Sequence, residues 1–547
     1  MRLHLLPLLL LAGCFSTLPD AGEAPPKDVL IVHARIHGHP GDAMLVRPDG
    51  GWQVGAEAKL RQATENHPTV LDAEGGLVLP GFQDAHSHVL GGGLAASQVD
   101  LEGAKTPEEC AARVKAWADA HPGDGWVEGR GWSYGIVPAG QFPTRQALDA
   151  VLPDRPVLLE AYDGHSMWAN SKALALAKVG PDTKDPKDGR VVREADGKTP
   201  QGALLEEAGE LVQAPPADHA TRLRAVTEAL LEYRRLGVTR VHAICSERSE
   251  VQLYEELGEQ GRLPIDVGVA LPLTTPIDEV LLVKGGLHHT RLVFLKGFLD
   301  GVIESRTAFL LAPYSGTSDE ATRGAPNYEP EELFALVDRA HAAGVPVALH
   351  CVGDAAVRLA LDAFEAAVKA HPDVRLHHRI EHIETIDPAD VPRFGKLGVI
   401  ASMQPYHSVP SDAPSPDDVW SANLGAERLT RAFAWRALVD AGATLAFGSD
   451  WPVMTQDPLR GLAVALTRQN ERGLPAGGWQ AHQKLDVPAA LAAYAEGVEG
   501  SPGADDALPG GVIVLTPDVK LEEPKTLWTG RVRYVVRGGR VHAPDAP

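Results

Sequence analysis

Two histidines one residue apart, His86 and His88, stand in the stretch best suited to chemistry, residues 78–93. The apolar residues 77–79 precede them and are typical of a buried strand. Alternate side chains of a strand share a face, so the two imidazoles are predicted to converge while Ser87 points the other way. Neutral imidazole nitrogens at this spacing suit Zn²⁺ or another divalent cation, and a pair of hydrogen-bonded structural histidines is the alternative.

Four more side chains that bind cations or move protons follow later apolar runs: Lys296, His350, His382 and Asp450. Amphipathic helices such as residues 354–370 separate these runs. With the run before His86, eight strands are predicted, the other seven being residues 157–161, 238–243, 292–296, 345–350, 376–382, 399–403 and 444–448. The alternation predicts an α/β fold, a (β/α)8 TIM barrel whose strands deliver the polar side chains to one mouth.

Short β-like runs between Gly and Pro turns occupy both ends of the chain. Because chain ends often lie close together, the two ends are predicted to pair in one small β-sandwich. We therefore predict that residues 28–78 form its N-terminal part, residues 79–490 the barrel, and residues 491–547 its C-terminal part.

Four motifs together resemble those of the amidohydrolase superfamily. They are PGFQDAHSH at 80–88, LHCVGDAAV at 349–357, RIEH at 379–382 and GSDWPV at 448–453. More narrowly, the chain is similar to the amidohydrolase 3 group, which includes N-substituted formamide deformylase and YtcJ-like proteins. The likeness runs from about residue 28 to residue 475 and fades after Gly473, where residues 510–515 lack the group's usual Ala-Asp pair.

The resemblance implies a centre with one or two divalent ions, Zn²⁺ in the first place. His86 and His88 would bind the deeper ion, and His350 and His382 the shallower one. Lys296 would bridge them as an N6-carboxylated lysine, because burial lowers a lysine pKa and a neutral amine can add CO₂ to become an oxygen ligand. An ion pair between Lys296 and Asp300, or a hydrogen bond from Lys296 to a group that contacts the metal ligands, is the alternative.

Asp450 is the predicted general base and a further metal contact. Metal coordination lowers the pKa of a water toward ~7, so a neighbouring carboxylate can take its proton and later pass it to a departing amine. The predicted reaction is hydrolysis of a non-peptide C–N bond in an amide or N-substituted formamide. A hydrolase of esters, lactones or phosphotriesters on the same metals and a scaffold lipoprotein without turnover are the alternatives.

Five further residues are predicted near the substrate. His165 follows the run 157–161 and would polarise the substrate carbonyl, with a structural loop histidine as the alternative. Four aromatic residues are expected at the barrel mouth, either lining an apolar pocket or packing within loops: Trp132, Trp168, Tyr406 and Trp451. Asp84 would orient one of the metal-binding histidines or stabilise a turn.

The first residues predict export and lipid anchoring. One Arg precedes an apolar run too short to span a bilayer, and residues 11–14, LAGC, resemble the bacterial lipobox. Residues 1–14 are thus a predicted lipoprotein signal with lipidated Cys14, and residues 15–27 a tether. Phe15 favours, by resemblance to the sorting pattern, the periplasmic face of the outer membrane in the bacterial cell envelope.

Composition sets the remaining expectations. A hydrophobic fraction of 44% and a charged fraction of 23% are typical of globular proteins. The formal charge of −22 leaves no basic surface for nucleic acid, so a small-molecule substrate is the expected partner. Cys110, Cys245 and Cys351 are predicted core residues without a disulfide framework. The sequence leaves open whether two copies form a homodimer.

Overall fold

The computed structural model describes residues 26–64, 67–138, 141–161, 166–187, 189–245, 247–319, 322–409, 418–495 and 510–543. In these ranges the strands are β1 Val29–Val32, β2 Arg35–Ile36, β3 Ala43–Val46, β4 Trp52–Gly55, β5 Thr69–Asp72, β6 Leu77–Pro80, β7 Phe82–Ser87, β8 Val99–Asp100, β9 Val127–Trp132, β10 Val157–Ala161, β11 Ser166–Ala169, β12 Gly189–Arg193, β13 Pro200–Glu206, β14 Val238–Ile244, β15 Asp266–Pro272, β16 Arg291–Phe298, β17 Val347–Cys351, β18 Arg379–His382, β19 Ile400–Met403, β20 Thr444–Phe447, β21 Val512–Leu515, β22 Val532–Arg537 and β23 Arg540–His542.

The helices in the same ranges form the outer layer of the barrel and cover the other sheets. They are α1 Glu57–Gln62, α2 Val89–Ala96, α3 Pro107–Ala120, α4 Arg145–Asp149, α5 Ser171–Leu176, α6 His219–Arg235, α7 Arg248–Glu259, α8 Ile277–Gly286, α9 Pro330–Ala342, α10 Asp354–Ala370, α11 Val391–Leu397, α12 Val419–Leu424, α13 Ala426–Leu429, α14 Trp435–Asp440, α15 Pro458–Thr467 and α16 Val487–Ala495. Helix α10 has the predicted bounds and buries its apolar stripe, including Val357, Leu361 and Phe364.

Eight parallel strands form the central barrel, in the order β7, β14, β15, β16, β17, β18, β19, β20. The first and last strands lie side by side just beyond β20, where Asp450 N donates to His86 O at 2.8 Å and His88 N donates to Trp451 O at 2.9 Å. Every residue of β7 is buried, as expected of a strand covered on both faces. The predicted (β/α)8 barrel is therefore confirmed.

One of the eight predicted barrel strands belongs elsewhere. Residues 157–161 form β10, which pairs with β9 and β11 in a separate six-stranded sheet inserted between β7 and β14. The third barrel strand is β15 instead, an apolar run that the sequence analysis did not assign. Periodicity identifies an apolar strand but not the sheet that it joins, so two runs of this kind are interchangeable in a sequence pattern.

Strands from both chain ends pack face to face in a sandwich. One sheet has the order β4, β3, β1, β5, and the other has the order β2, β6, β21, β22, β23. Their shared core contains Ile31 and Met44 from the first sheet and Val78, Val514 and Val536 from the second. The sequence analysis placed the apolar run at 77–79 in the strand that carries His86. The run belongs instead to β6 of the sandwich. That strand, β7, begins at Phe82.

Cys110, Cys245 and Cys351 are buried core residues, as predicted. Burial raises the pKa of the thiols of Cys110, Cys245 and Cys351, which disfavours the reactive thiolate. In the part of the chain that the structure describes, no helix combines the length and the apolar character needed to cross a bilayer. Cys14 and most of the predicted tether lie outside the described residues, so the lipid anchor stays a prediction.

Candidate functional site

His86, His382 and Asp450 bring ligand atoms within 4.8 Å of one another at the carboxyl end of the barrel. All three are buried, and they come from β7, β18 and the segment after β20. His88 joins them at the start of α2, where its Nε2 lies 3.3 Å from Asp450 Oδ1. The barrel therefore brings together four of the side chains that the sequence predicts, although they lie up to 364 positions apart in the chain.

The ring of His86 is held in one orientation by Glu381. Its Nδ1 lies 2.8 Å from Glu381 Oε2, and because the ionised carboxylate can only accept, Nδ1 carries the proton. Nε2 then faces Asp450 Oδ1 at 3.3 Å. A carboxylate behind a metal-binding histidine is a common arrangement, because it sets the tautomer and raises the basicity of the outward nitrogen.

Arg379 lies beneath Glu381 and completes a buried chain of charges. Its Nη2 is 2.9 Å from Glu381 Oε1, and the same nitrogen donates to Ser402 Oγ at 2.6 Å. Nη1 donates to His242 Nδ1 at 3.1 Å. Arg379 and Glu381 are at most 2% exposed. Although burial alone would raise the pKa of Glu381, Arg379 and His86 hold it well below its usual range.

Removing the guanidinium should therefore destabilise the barrel. In Arg379→Met the Glu381 carboxylate stays buried without its counter-charge, and we expect a loss of about 3–5 kcal/mol in the free energy of unfolding. Urea unfolding of wild type and variant measures it. Arg235→Met removes the half-exposed ion pair with Glu232 on α6 and should cost less than about 1 kcal/mol. Equal losses in the two variants would contradict the role of the buried chain.

His382 and His350 stand side by side, with ring centroids 4.3 Å apart. His382 Nδ1 donates to Gln404 Oε1 at 2.8 Å, and His350 Nε2 donates to the carbonyl of Gly301 at 3.2 Å. Burial lowers the pKa of His350 to about 3 and that of His382 well below its ordinary value, so both rings are neutral. Each therefore keeps one unprotonated nitrogen for a cation, Nε2 in His382 and Nδ1 in His350.

Backbone conformation turns His382 toward the centre. Alternate residues of a strand face opposite sides, so Glu381 and His382 could not both contact His86 from a regular strand. His382 has a φ of 74°, in the left-handed region, and the strand ends there. Asp450 also lies in that region, with a φ of 57°. Such backbone conformations are costly for residues with side chains and collect at functional sites.

Lys296 is buried near this centre, and its Nζ has no hydrogen-bond partner among the described residues. Burial lowers its pKa to about 8, although nearby carboxylates oppose that shift. The alternative ion pair with Asp300 is not formed. Asp300 instead accepts three backbone N–H groups, those of Phe309, Val352 and Gly353. A neutral amine is the form that adds CO₂, and carboxylation of Lys296 stays a prediction.

Asp450 is positioned by the close approach of β7 to the segment after β20. A Cβ on Gly448 would lie 2.5 Å from the backbone nitrogen of His86, so a side chain there would push the strand ends apart. Asp84 Oδ1 accepts the backbone N–H groups of His86 and Ser449, at 3.1 and 3.0 Å. Asp84 thus stabilises the junction between β7 and the segment after β20, and it does so through backbone contacts rather than through an imidazole.

His407 is a site residue that the sequence analysis missed. It lies in a 3₁₀ turn, Pro405–Ser408, after β19, and its Nε2 is 3.9 Å from Asp450 Oδ2. Its ring is stacked with that of His382 at 6.2 Å, and Nε2 has no hydrogen-bond partner among the described residues. The only sequence signal is a histidine shortly after a barrel strand. Arg379 and Glu381 were also without an assigned role, although both lie in the RIEH motif.

The donor set fits a divalent cation. Burial and the nearby Lys296 oppose a second proton on His86, yet Glu381 and Asp450 outweigh them and raise the pKa of His86. A cation bound to Nε2 would replace that proton between the ring and the Asp450 carboxylate. Imidazole nitrogens mixed with carboxylate oxygen are ligands that Zn²⁺ binds, and zinc as the metal stays a prediction.

Two of the predicted substrate contacts are core residues of the inserted sheet. Trp132 and Trp168 are fully buried in the inserted sheet, where their indoles donate to the backbone carbonyls of Leu159 and Thr144. Full burial leaves neither indole exposed to line a pocket, which favours the alternative that they are packing residues.

Tyr406 packs edge-on against Trp528 of the C-terminal segment, with ring centroids 6.3 Å apart. Trp451 packs edge-on against Tyr233 of α6 at 6.0 Å and is only partly buried. Their roles in a substrate pocket stay predictions. His165 lies outside the described residues, and its predicted contact with the substrate carbonyl is likewise a prediction.

Comparison with known proteins agrees with this geometry. A sequence model of the amidohydrolase family matches residues 69–541. The amidohydrolase-family protein YtcJ of Bacillus subtilis (strain 168) is 30% identical over 437 residues, which cover 79% of this chain and 80% of that protein. N-substituted formamide deformylase of Arthrobacter pascens is 26% identical over 478 residues, 82% of this chain and 85% of the relative.

A solved structure is similar over most of the fold. It is an uncharacterized metal-dependent hydrolase from Pyrococcus furiosus, with a TM-score of 0.69 and 26% sequence identity, and the match covers 86% of this chain and 94% of that chain. The family match runs from β5 of the sandwich through the barrel into β23 and includes every residue of the buried centre. The chain therefore belongs to the amidohydrolase family.

Proposed function

We propose that the protein is a metal-dependent hydrolase that cleaves the C–N bond of a non-peptide amide, and of an N-substituted formamide in particular. One observation carries this proposal: four buried or half-buried imidazoles surround Asp450, and one of them, His86, is locked by Glu381 with Nε2 toward that carboxylate. The similarity to N-substituted formamide deformylase supports the choice of bond.

His86, His88, His350 and His382 would hold the cation, with Lys296 and Asp450 as further contacts. A divalent cation supplies two effects there, a lower pKa for a water and polarisation of the substrate carbonyl. The side chains of the protein would carry out the remaining tasks. Burial of His86, His382 and Asp450 limits their contact with bulk water, and the Glu381–Arg379 pair keeps His86 in one orientation.

Asp450 would move the proton. Burial opposes its charge, yet His86 and His88 hold its pKa well below the usual range, so it is ionised and can accept a proton from the attacking water. In the reaction, water adds to the amide carbonyl carbon and the C–N bond breaks. Asp450 takes one proton from that water and delivers it to the nitrogen that leaves as the amine, which balances the hydrolysis.

A substrate panel tests the proposal. Purified protein loaded with Zn²⁺, Mn²⁺ or Co²⁺ is assayed against N-substituted formamides, simple amides, lactones, carboxylic esters and a phosphotriester. We expect the highest kcat/KM among the formamides and amides. Higher kcat/KM for lactones or phosphotriesters would assign the site to the other bond types, and less than one metal ion per chain without turnover would favour the scaffold alternative.

A further inference from the structure

An exposed aromatic ring stands directly above the buried polar centre. Phe298 is the last residue of β16 and lies two positions after Lys296, so the two side chains share the inner face of the strand. Phe298 is also paired in register with His350 on β17. Its ring centroid is 5.6 Å from that of His350 and 5.0 Å from Lys296 Nζ. The ring therefore borders the space above the candidate ligands.

Phe298 is 46% exposed, and among the described residues it is the only aromatic side chain in the set of exposed large hydrophobic residues. Lone exposed apolar residues are common on protein surfaces, but two further exposed apolar residues lie close in the chain to candidate site residues. Val302, 41% exposed, follows Gly301, whose carbonyl accepts from His350. Val453, 60% exposed, donates its backbone N–H to the carbonyl of Asp450 at 2.9 Å.

Phe298 ends the fourth barrel strand and Val302 follows it, whereas Val453 follows the eighth strand on the opposite side of the barrel. A phenyl-sized group next to the scissile amide can therefore reach the side of Phe298 but not both sides. A small polar substrate would leave the Phe298 ring in water, whereas a flat ring would pack on its phenyl face.

We propose that Phe298 forms an apolar subsite that binds an aromatic substituent of the substrate. This inference rests on the proposed function, because it assigns the substrate class of the same centre. The substrates it favours are uncharged amides or formamides with a phenyl-sized group on the amide. Small N-alkyl formamides occupy the centre without using the subsite.

Kinetic discrimination between two formamides tests the subsite. We expect Phe298→Ala to lower kcat/KM for formanilide about 10- to 100-fold, as expected for the loss of an apolar contact, and to change kcat/KM for N-methylformamide less than about 3-fold. For Phe298→Leu, kcat/KM for formanilide should lie between the values for wild type and Phe298→Ala. Leu282→Ala removes a more exposed apolar side chain from α8 and should leave both values unchanged. Equal losses for the two formamides in Phe298→Ala would overturn the subsite.

A binding measurement separates this inference from the proposed function. Phenylurea and methylurea imitate the two formamides, and calorimetry measures their affinity without turnover. We expect phenylurea to bind wild type about 10-fold or more tightly than Phe298→Ala, with no such difference for methylurea. If no formamide or amide is hydrolysed but this difference is found, the proposed function fails and the subsite stands. Equal affinity of phenylurea for both proteins, or no binding to either, would overturn the subsite.

Discussion

Asp450→Asn should lower kcat about 10²- to 10⁴-fold on the best amide substrate and leave KM within a few fold. The amide is nearly the same size as the carboxylate and can still fill the space between His86 and His88, but it cannot take a proton from water. The chemical step is therefore lost while substrate binding is kept. Stopped or continuous product assays give kcat and KM, and elemental analysis of the purified variant gives the bound metal.

The same substitution elsewhere in the segment provides the control. Asp457 lies seven residues later, where Oδ1 accepts the backbone N–H of Leu459 at the start of α15. Asn is as good a helix cap as Asp, so Asp457→Asn should keep the wild-type kcat. Hydrolysis by Asp450→Asn within 10-fold of wild type would rule out Asp450 as the base. Loss of metal in parallel with kcat would instead identify it as mainly a ligand.

Substitution of a residue in the donor set should lower metal affinity more than substitution of the residue that orients it. His86→Ala removes a proposed ligand and is expected to give protein with little bound metal and no measurable turnover. Glu381→Gln keeps the size of the side chain but removes the charge that orients His86, and it should weaken metal affinity about 10- to 100-fold. Competition with a chromophoric chelator measures both affinities, and added metal in excess should restore turnover to Glu381→Gln but not to His86→Ala.

Glu384→Gln is the matched control for this series. Burial raises the pKa of Glu384 to about 8, so its carboxyl is largely neutral at pH 7, and its Oε2 accepts from the Trp420 indole at 2.6 Å. The substitution therefore changes neither the charge nor the size of the side chain, and metal affinity should equal that of wild type. Wild-type affinity in Glu381→Gln would contradict the orienting role of that carboxylate.

Local sequence patterns predicted much of the polar centre. The His-x-His pair, Lys296, His350, His382 and Asp450 each follow an apolar run, and the carboxyl ends of parallel barrel strands meet at one mouth. This rule needs only the strand ends, not the order of strands. For that reason the wrong choice of 157–161 as a barrel strand left the prediction of this polar centre unaffected.

Contacts between residues distant in the chain determine the parts of the site that the sequence did not predict. Arg379 and Glu381 are charged residues in a strand, and only the approach of β7 to β18 shows that they orient His86, which lies 295 positions from Glu381. Tyr406 and His407 are neighbours in a 3₁₀ turn, where neither strand nor helix period applies, so the sequence could not show which of them faces Asp450.

By itself the sequence determined the family, the barrel and the polar residues at its strand ends, because motifs and hydrophobic periods are properties of short segments. Only the tertiary structure decided which strands enter the barrel, how Glu381 sets the tautomer of His86, and that Phe298 is exposed above the centre. The reason is physical: sheet partners, burial and proton positions depend on contacts between segments hundreds of residues apart, and no local pattern contains those contacts.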